Sequence, residues 1–294
     1  MDFYTSNNEN TQTMDKPINM KDKERSSHDM SNHAQSDHAR ANHARRFGGI
    51  KRLYGETAFE KFYHAHICVV GIGGVGSWAA EALARSAIGE ITLIDLDNIA
   101  ESNVNRQIHA YTGEFGKPKV DAMAERINKI NPQCRVNIIE DFVTTDNVRE
   151  LMVKDFNYVI DCADSHRVKA AMVAHCRRNK IKIITVGSAG GQTDPTQIHV
   201  CDLINTDQDA LLAKSRKLLR QQYGFTHTPK HRFNVPAVYS SEQLSYPSEE
   251  GEVSFQKPET ARDLSCAGGI GSVMTVTASF GLVAVSHVLR KLSQ

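Results

Sequence analysis

Residues 66–97, HICVVGIGGVGSWAAEALARSAIGEITLIDLD, decide the fold. The apolar run over 66–71 is short and rich in β-branched residues, which predicts a strand buried on both faces. Gly71, Gly73 and Gly76 leave this strand in the pattern G-x-G-x-x-G, and a helical pattern follows at once. Positions without a Cβ let the backbone approach a phosphate, and the N–H groups at a helix N-terminus attract negative charge. The turn therefore predicts a nucleotide-binding site.

Strand-like and helix-like segments alternate through the first half of the chain. We predict strands over residues 66–71, 90–97, 135–142, 158–164 and 182–188. We predict helices from Ser77, from about Lys117 to Pro132, after Thr145, and over residues 165–179. This alternation implies right-handed crossovers, so we expect an α/β fold with a Rossmann-like, doubly wound and mostly parallel sheet.

The pattern changes after residue 190, where QIHVCDL and VPAVYS resemble strands and a basic helix is predicted over 208–223. We therefore expect one domain over 45–294, with a nucleotide-binding half at 45–190 and a mixed half at 191–294 that binds the substrate. Residues 1–44 are polar and contain four histidines at five-residue spacing. A segment that can bury so little apolar surface is predicted to be a disordered extension.

Composition excludes several classes of protein. A hydrophobic fraction of 40% and a formal net charge of +1 do not fit a histone-like polycation or a low-complexity polymer. The six cysteines form no C-x-x-C pair, so we expect neither zinc nor a disulfide framework. A polar N-terminal region predicts a cytoplasmic protein with free thiols. The apolar stretch 267–289 could span a bilayer, but its glycines and polar residues favour a helix packed on the sheet, with membrane contact left open.

The residues that follow the second predicted strand distinguish ATP from a nicotinamide cofactor. SNVNRQ at 102–107, GKPK at 116–119 and DCAD at 161–164 place Arg106, Lys119 and Asp164 after the glycine-rich turn. Hydride transfer does not need several cations, whereas adenylation of a carboxylate does. Arg and Lys with a carboxylate-held Mg²⁺ stabilise the charge on the departing pyrophosphate, so these residues predict ATP and Mg²⁺.

In this order and at this spacing, the glycine-rich turn, D-x-D, S-N-x-x-R-Q, G-x-P-K and D-C-x-D resemble the ubiquitin-activating-enzyme superfamily and its ThiF/MoeB-like adenylating members. The resemblance covers residues 46 to 190 and implies a role for each matching residue. Asp95 would bind the ribose, Asn103 and Arg106 the phosphates, Lys119 the α-phosphate and the transition state, and Asp164 the magnesium ion, which makes Arg106, Lys119 and Asp164 the implied catalytic residues. The implied nucleotide-binding set also includes Gly71, Gly73, Gly74, Gly76, Asp97 and Gln107, together with Arg46, which would reach the ATP of the partner protomer in a homodimer.

The missing C-x-x-C pairs disfavour the zinc-bearing branch of that superfamily. RRFGGIKRLYG, VGSAGGQTDPTQIHVCDL and the C-terminal CAGGIGSVMTVTASFG instead resemble the tRNA threonylcarbamoyladenosine dehydratases, from Arg45 almost to the C-terminus. This resemblance implies that ATP activates the threonyl carboxylate of the modified adenosine beside the anticodon. The carbamoyl nitrogen then closes a ring. A sulfur-relay partner protein and a bound monovalent cation are left open.

Two further features concern catalysis and RNA. Cys266 lies where thioester-forming relatives could place a nucleophile, although an intramolecular ring closure needs no thiol. Residues 210–241 contain no Asp or Glu, while basic side chains alternate with aromatic ones. This pattern predicts contact with tRNA through Lys214, Arg216, Lys217 and Arg220.

Three other functions stay open from the sequence. The first is adenylation of the C-terminus of a sulfur-carrier or ubiquitin-like protein, which the absence of C-x-x-C pairs disfavours. The second is an NAD-dependent oxidoreductase, which the cationic residues disfavour. The third is a non-catalytic nucleotide sensor or sulfur-relay scaffold.

Overall fold

The computed structural model of the chain describes residues 42–228, 231–248, 251–256 and 270–294. The chain divides into two units, Met1–Arg45 and Arg46–Gln294. The helix α1 covers residues 42–54, so it includes the last three residues of the extension predicted over 1–44. The rest of that prediction lies outside the described residues.

A seven-stranded sheet organises the second unit, with the strand order β3-β2-β1-β4-β5-β7-β6. The strands are β1 His66–Val70, β2 Glu90–Ile94, β3 Arg135–Ile139, β4 Tyr158–Asp161, β5 Ile183–Val186, β6 Ile198–Asp202 and β7 Pro236–Ser240. All neighbours pair in parallel except β6 and β7, which are antiparallel. The predicted Rossmann-like, mostly parallel sheet is confirmed. A separate antiparallel pair joins β8 Tyr246–Pro247 to β9 Val253–Ser254.

Helices cover both faces of this sheet. They are α2 Glu56–Tyr63, α3 Gly76–Arg85, α4 Lys119–Ile130, α5 Val148–Leu151, α6 His166–Asn179, α7 Ala210–Gln222 and α8 Met274–Ser293. Side chains of β1 alternate between two cores: Ile67 and Val69 pack with α3 and α8, and Cys68 and Val70 pack on the opposite face with α6. This alternation explains the continuous apolar run of β1.

The predicted strands over 90–97, 135–142 and 158–164 extend beyond the observed carboxyl ends of β2, β3 and β4. These strands stop early because the polar residues after them leave the sheet and turn across its edge. Those residues include the ones predicted to bind a nucleotide.

The helix α8 packs closely on α3. A Cβ at Gly281 would lie 2.6 Å from the carbonyl oxygen of Val75 and 3.0 Å from the amide nitrogen of Ala79, so only glycine fits this crossing. Val276, Phe280 and other apolar side chains of α8 are buried in the core. The predicted helix over 267–289 is thus observed from Met274 onwards, where it packs against α3 and the sheet. No helix among the described residues combines the length and the apolar character that a membrane crossing requires.

Candidate active site

The carboxyl ends of β1, β2 and β4 lie side by side, because β1 pairs in parallel with both of the other strands. The segments that leave these ends are the glycine-rich turn 71–76, the loop 95–107 and the turn 162–165. In open α/β sheets, ligands bind at this edge of the sheet, where neighbouring connections diverge. The predicted site residues of the first half therefore share one edge, apart from Arg46.

Gly71, Gly73 and Gly76 of the turn have two different roles. A Cβ at Gly76 would lie 1.8 Å from the carbonyl oxygen of Gly71, and a Cβ at Gly71 would lie 2.9 Å from the carbonyl oxygen of Cys162. These two glycines let backbone segments approach each other within the protein. At Gly73 the nearest atom to a Cβ would be Nε2 of Gln107 at 3.9 Å, so this position borders open space. Gly73 is thus the glycine that a phosphate can approach.

The carboxylate of Asp95 holds the turn in place. Its Oδ2 accepts a hydrogen bond of 2.6 Å from the amide of Ile72, and its Oδ1 accepts one of 2.8 Å from the amide of Asp97. Burial raises the pKa of Asp95, although Lys119 and the two amides act in the opposite direction. The predicted ribose ligand is therefore first a structural link between the turn and the loop after β2. Each oxygen keeps a further lone pair for a hydroxyl donor.

Arg106 lies across the glycine-rich turn. A Cβ at Gly74 would be 3.2 Å from Cγ of Arg106, and Nη1 of Arg106 donates to the carbonyl oxygen of Ser102 at 2.7 Å. The indole of Trp78 donates to the carbonyl oxygen of Arg106 at 3.0 Å and fixes the backbone there. The S-N-x-x-R-Q loop thus delivers a cation to the nucleotide side of the turn.

Two buried polar residues support that loop. Asn103 is buried, and its Oδ1 accepts a hydrogen bond of 3.1 Å from the amide of Ala100. Gln107 is buried, and its Oε1 lies 3.1 Å from Nε2 of His109. Burial lowers the pKa of His109 to about 4, with Lys119 and Arg126 adding to the effect. The imidazole is neutral at pH 7, so Nε2 can donate to Gln107.

Lys119 and Asp97 form the second charged part of the site. Nζ of Lys119 lies 2.7 Å from Oδ2 of Asp97, and the side chain of Lys119 is 7% exposed, against 54% for Asp97. Lys119 is the first residue of α4, directly after Pro118. Proline has no backbone N–H to donate within a helix, so α4 begins at this point. The amide of Lys119 also donates to the carbonyl oxygen of Asp97 at 3.0 Å. Backbone and side chain together direct this ammonium to the carboxyl edge of the sheet.

Asp164 is exposed in the turn between β4 and α6. A buried cluster of Asp161, Lys169 and Thr185, which the sequence did not predict, supports this turn from the core. Asp161 accepts hydrogen bonds from the amide of Ala163 at 3.1 Å and from Oγ1 of Thr185 at 2.6 Å, and Lys169 lies 3.1 Å from its carboxylate. In the sequence, Lys169 differs from other helical lysines only in the apolar run AAMVA that follows it.

The second half of the chain closes over the same edge. The amide of Gly191 donates to the carbonyl oxygen of Gly271 at 2.8 Å, and Nδ2 of Asn105 donates to the carbonyl oxygen of Ser272 at 2.7 Å. Gln192 is buried beside these contacts, and its Oε1 accepts no hydrogen bond within the described part of the chain. The segment before α8 therefore links the loop after β5 to the phosphate side of the site.

Three comparisons with known proteins bear on this arrangement. The model of the ThiF family matches residues 46–294. The chain belongs to the ThiF family. It is 54% identical over 250 residues to the tRNA threonylcarbamoyladenosine dehydratase of Escherichia coli (strain K12), covering 84% of this chain and 93% of that relative. It is 50% identical over 248 residues to the enzyme of the same name from Haemophilus influenzae, with coverages of 84% and 93%.

A solved structure has the same fold. The E. coli tRNA N6-threonylcarbamoyladenosine dehydratase TcdA in complex with ATP superposes with a TM-score of 0.76 at 52% identity, covering 85% of this chain and 94% of that one. The resemblance to the ThiF/MoeB-like enzymes and to the dehydratases is therefore confirmed.

Other predicted residues of this ThiF-family chain lie away from the site. Nη1 of Arg46, on α1, donates to the carbonyl oxygen of Ile130 at the end of α4, 3.1 Å away, which is the opposite edge of the sheet. On α7, Lys214 and Lys217 are exposed. Arg216 instead donates to Thr206 and Arg220 to the carbonyl oxygen of Thr226, so these two are partly engaged within the protein.

The cysteines that the structure describes are not activated thiols. Burial raises the pKa of Cys134, Cys162 and Cys176 to about 12, and it also raises the pKa of Cys68 and Cys201. Cys266, the candidate nucleophile that the ring closure does not need, lies outside the described residues. Within the described ranges, no three side chains of His, Cys, Asp or Glu are grouped as metal ligands.

Proposed function

We propose that this chain catalyses the ATP-dependent cyclisation, with formal loss of water, of the threonylcarbamoyl group of threonylcarbamoyladenosine beside the anticodon of tRNA. One observation carries the proposal. A glycine-rich turn with open space at Gly73, two cations and an exposed carboxylate lie on one sheet edge of a chain that is 54% identical to a dehydratase of this name. The E. coli relative was crystallised with ATP.

In the first step, a carboxylate oxygen of the threonyl group attacks the α-phosphorus of ATP, and the bond to the β-phosphate oxygen breaks. The products are an acyl-adenylate and pyrophosphate. Arg106 and Lys119 are the cations that stabilise the negative charge developing on the α-phosphate and the leaving group. Fixed charges at a partly buried site need little reorganisation during the reaction, which makes them more effective than water.

In the second step, the carbamoyl nitrogen attacks the activated carbonyl carbon, loses its proton, and AMP leaves with the original carboxylate oxygen. The ring closes within one molecule, so no protein nucleophile is required. Holding the attacking nitrogen close to the carbonyl carbon can lower the activation free energy by about 7–11 kcal/mol. A role for Cys266 is therefore not part of the proposed mechanism.

Asp164 suits a magnesium site. Mg²⁺ is held in many nucleotide enzymes by one or two carboxylates together with the substrate phosphates, and it keeps several waters. The Asp164 carboxylate is exposed at the phosphate edge and forms no hydrogen bond or ion pair with the described residues. Mg²⁺ would neutralise phosphate charge there. Lys119, Arg106 and the backbone of the turn would orient the nucleotide.

Arg46 would act in a homodimer. Its guanidinium lies on the sheet edge opposite the site of its own chain, so it could contact only the nucleotide of a partner protomer. We propose this arrangement on the resemblance of the segment to ThiF-like enzymes. An Arg46→Ala variant should then lose ATP affinity, while a mixture with Arg106→Ala protomers should recover part of the activity.

The deciding experiment analyses the modified nucleoside by mass. Purified protein is incubated with ATP, Mg²⁺ and tRNA that carries threonylcarbamoyladenosine, and the digested nucleosides are weighed. We expect a product lighter by the mass of one water, with AMP and pyrophosphate formed in equal amounts. Arg106→Ala, with an unchanged circular-dichroism spectrum, should form none. A wild-type protein that leaves the nucleoside unchanged but adenylates a sulfur-carrier protein would establish the alternative function.

A further inference from the structure

A pocket of about 460 Å³ lies between the end of α6 and the segment that follows α7. Its lining includes Arg177 and Arg178 of α6, the aromatic residues Tyr223, Phe225 and Phe233, and Arg232. The described residues that line the pocket include no Asp or Glu. The basic and aromatic stretch predicted over 210–241 includes α7 and the segment after it, but not the two arginines of α6.

This pocket is remote from the candidate active site. The helix α6 begins after the carboxyl end of β4 and ends before the amino end of β5, so Arg177 and Arg178 lie at the sheet edge opposite the glycine-rich turn. With 14 residues, α6 is about 21 Å long at 1.5 Å per residue. A ligand held here therefore cannot be the ATP of the active site, and it can belong to the same substrate only if that substrate is large.

The two phenylalanines of the pocket are packed within the protein. The rings of Phe225 and Phe233 meet edge to face, with centroids 4.9 Å apart, and the guanidinium of Arg220 lies 5.7 Å from the Phe233 ring. The amides of Phe233 and Asn234 donate to the carboxylate of Asp202 at 3.1 Å and 2.7 Å. Phe225 and Phe233 are thus held by contacts within the protein, and such contacts reduce the entropy lost on binding.

The three arginines of the pocket are available to bind a ligand. Arg177, Arg178 and Arg232 are exposed, and within the described ranges their guanidinium groups have no ion pair or hydrogen bond. Tyr223 is partly exposed and packs against the buried cluster of α6 and α7, and no aromatic ring contacts it in the same part of the chain, whereas Phe225 is packed on Phe233. The pocket therefore offers unneutralised guanidinium groups beside the exposed part of one aromatic side chain.

We propose that this pocket is an RNA-binding site for the tRNA substrate, in which Arg177 and Arg178 hold backbone phosphates and Tyr223 stacks on an unpaired base. Guanidinium groups match the geometry of phosphate oxygens, and aromatic faces bind bases of any sequence. The site rests on the proposed function, because only a ligand as large as tRNA can reach both edges of the sheet. It would contact a part of the tRNA distant from the modified nucleoside.

The test measures the affinity of the full chain for unmodified tRNA by fluorescence anisotropy over a range of salt concentrations. Arg177→Glu/Arg178→Glu should raise the Kd about tenfold and lower the slope of log K against log salt by about two, since two phosphate contacts are lost. Tyr223→Leu, which keeps an apolar side chain, should raise the Kd at least about fivefold with an unchanged slope. Neither variant should change the KM for ATP.

Lys61→Glu/Lys129→Glu is the matched control. Both lysines are exposed on helices that pack on the other face of the sheet, and the charge change is the same. The proposal is overturned if this control weakens tRNA binding as much as the arginine variant, or if the arginine variant binds tRNA like wild type. A loss of ATP affinity in the arginine variant would also overturn it.

The two proposals can fail separately. A wild-type protein that cyclises no tRNA nucleoside refutes the proposed function, whatever the binding data show. Normal cyclisation by Arg177→Glu/Arg178→Glu with an unchanged KM for tRNA refutes the pocket alone. If the pocket serves a protein partner instead, tRNA affinity will not respond to any of these variants, and the RNA site is rejected.

Discussion

The ammonium of Lys169 lies 3.1 Å from the carboxylate of Asp161, and neither side chain is exposed to solvent. Nζ also lies 3.2 Å from the carbonyl oxygen of Asp161 and 3.4 Å from Oγ1 of Thr185. The same carboxylate accepts the amide of Ala163, next to Asp164. The pair therefore links the core between α6 and the sheet to the turn that carries the exposed carboxylate of the site.

Removal of this lysine should destabilise the protein strongly. In Lys169→Met, the Asp161 carboxylate loses its counter-charge in a place without water, and breaking such a pair costs about 3–5 kcal/mol of unfolding free energy. Urea unfolding followed by circular dichroism measures the effect. Lys51→Met removes an ion pair with Glu56 whose side chains are 41% and 61% exposed, so it should change the unfolding free energy little. Equal losses in the two variants would contradict the assigned role of Lys169.

The two roles of the turn glycines can be separated by alanine substitutions. Gly76→Ala puts a methyl group 1.8 Å from the carbonyl oxygen of Gly71, so the backbone must move. We expect a loss of stability of about 3 kcal/mol, as for a strongly overpacked core position. Gly73→Ala places its methyl group 3.9 Å from the nearest described atom, so the fold should remain intact. Because that methyl group occupies the space of a phosphate, the KM for ATP should rise about tenfold.

A Gly73→Ala variant that unfolds with Gly76→Ala would show that both glycines only hold the turn. Thermal unfolding and ATP titration on the same preparations distinguish the outcomes. The stability of Gly73→Ala should equal that of wild type, and its ATP affinity should not.

The sequence predicts those parts of the site that are formed by residues adjacent in the chain. One run of residues predicts β1, the turn and α3, because the apolar run, the glycines and the helical pattern follow one another directly, although β1 itself pairs with the distant strands β2 and β4. Lys119 is placed by Pro118 beside it. In contrast, the ion pair of Lys169 depends on the packing of α6 against β4 and β5: the apolar run AAMVA after Lys169 indicates burial but does not indicate Asp161 as the partner. The pocket at Arg177 likewise requires two segments almost fifty residues apart, as Arg177 and Tyr223 are.

The sequence pattern also does not distinguish the structural from the ligand-binding roles of individual glycines and acidic residues. The pattern G-x-G-x-x-G treats Gly73 and Gly76 alike, yet one borders open space and the other contacts the backbone. Asp95 was expected to bind the ribose, and the structure shows its carboxylate engaged with two amides. Both distinctions arise from close approaches between backbone segments, which depend on the folded geometry.

Stability should fall as the pH is lowered below neutrality, and His109 should contribute. Burial lowers its folded pKa to about 4, below the unfolded value of 6.5, so the unfolded chain binds a proton that the native protein rejects between these values. The unfolding free energy should therefore decrease from pH 6.5 to pH 4 with a contribution approaching ~1.4 kcal/mol per pH unit. His109→Gln should reduce that slope in urea titrations.

Lys119 and Lys117 flank Pro118 and provide the sharpest test of catalysis. Lys119→Met removes the ammonium beside Asp97 at the phosphate edge, and loss of one fixed charge of this kind lowers kcat by about 10²–10³-fold. Asp97 is 54% exposed, so water can solvate it after the substitution and the fold should persist. Lys117→Met breaks ion pairs with Glu114 and Glu125, on the far side of the proline, and should leave kcat within about twofold of wild type. Formation of the cyclised nucleoside at saturating ATP and tRNA gives both rates. Equal rates for the two variants would remove Lys119 from the catalytic set, because the charge lost and the chain position are otherwise matched.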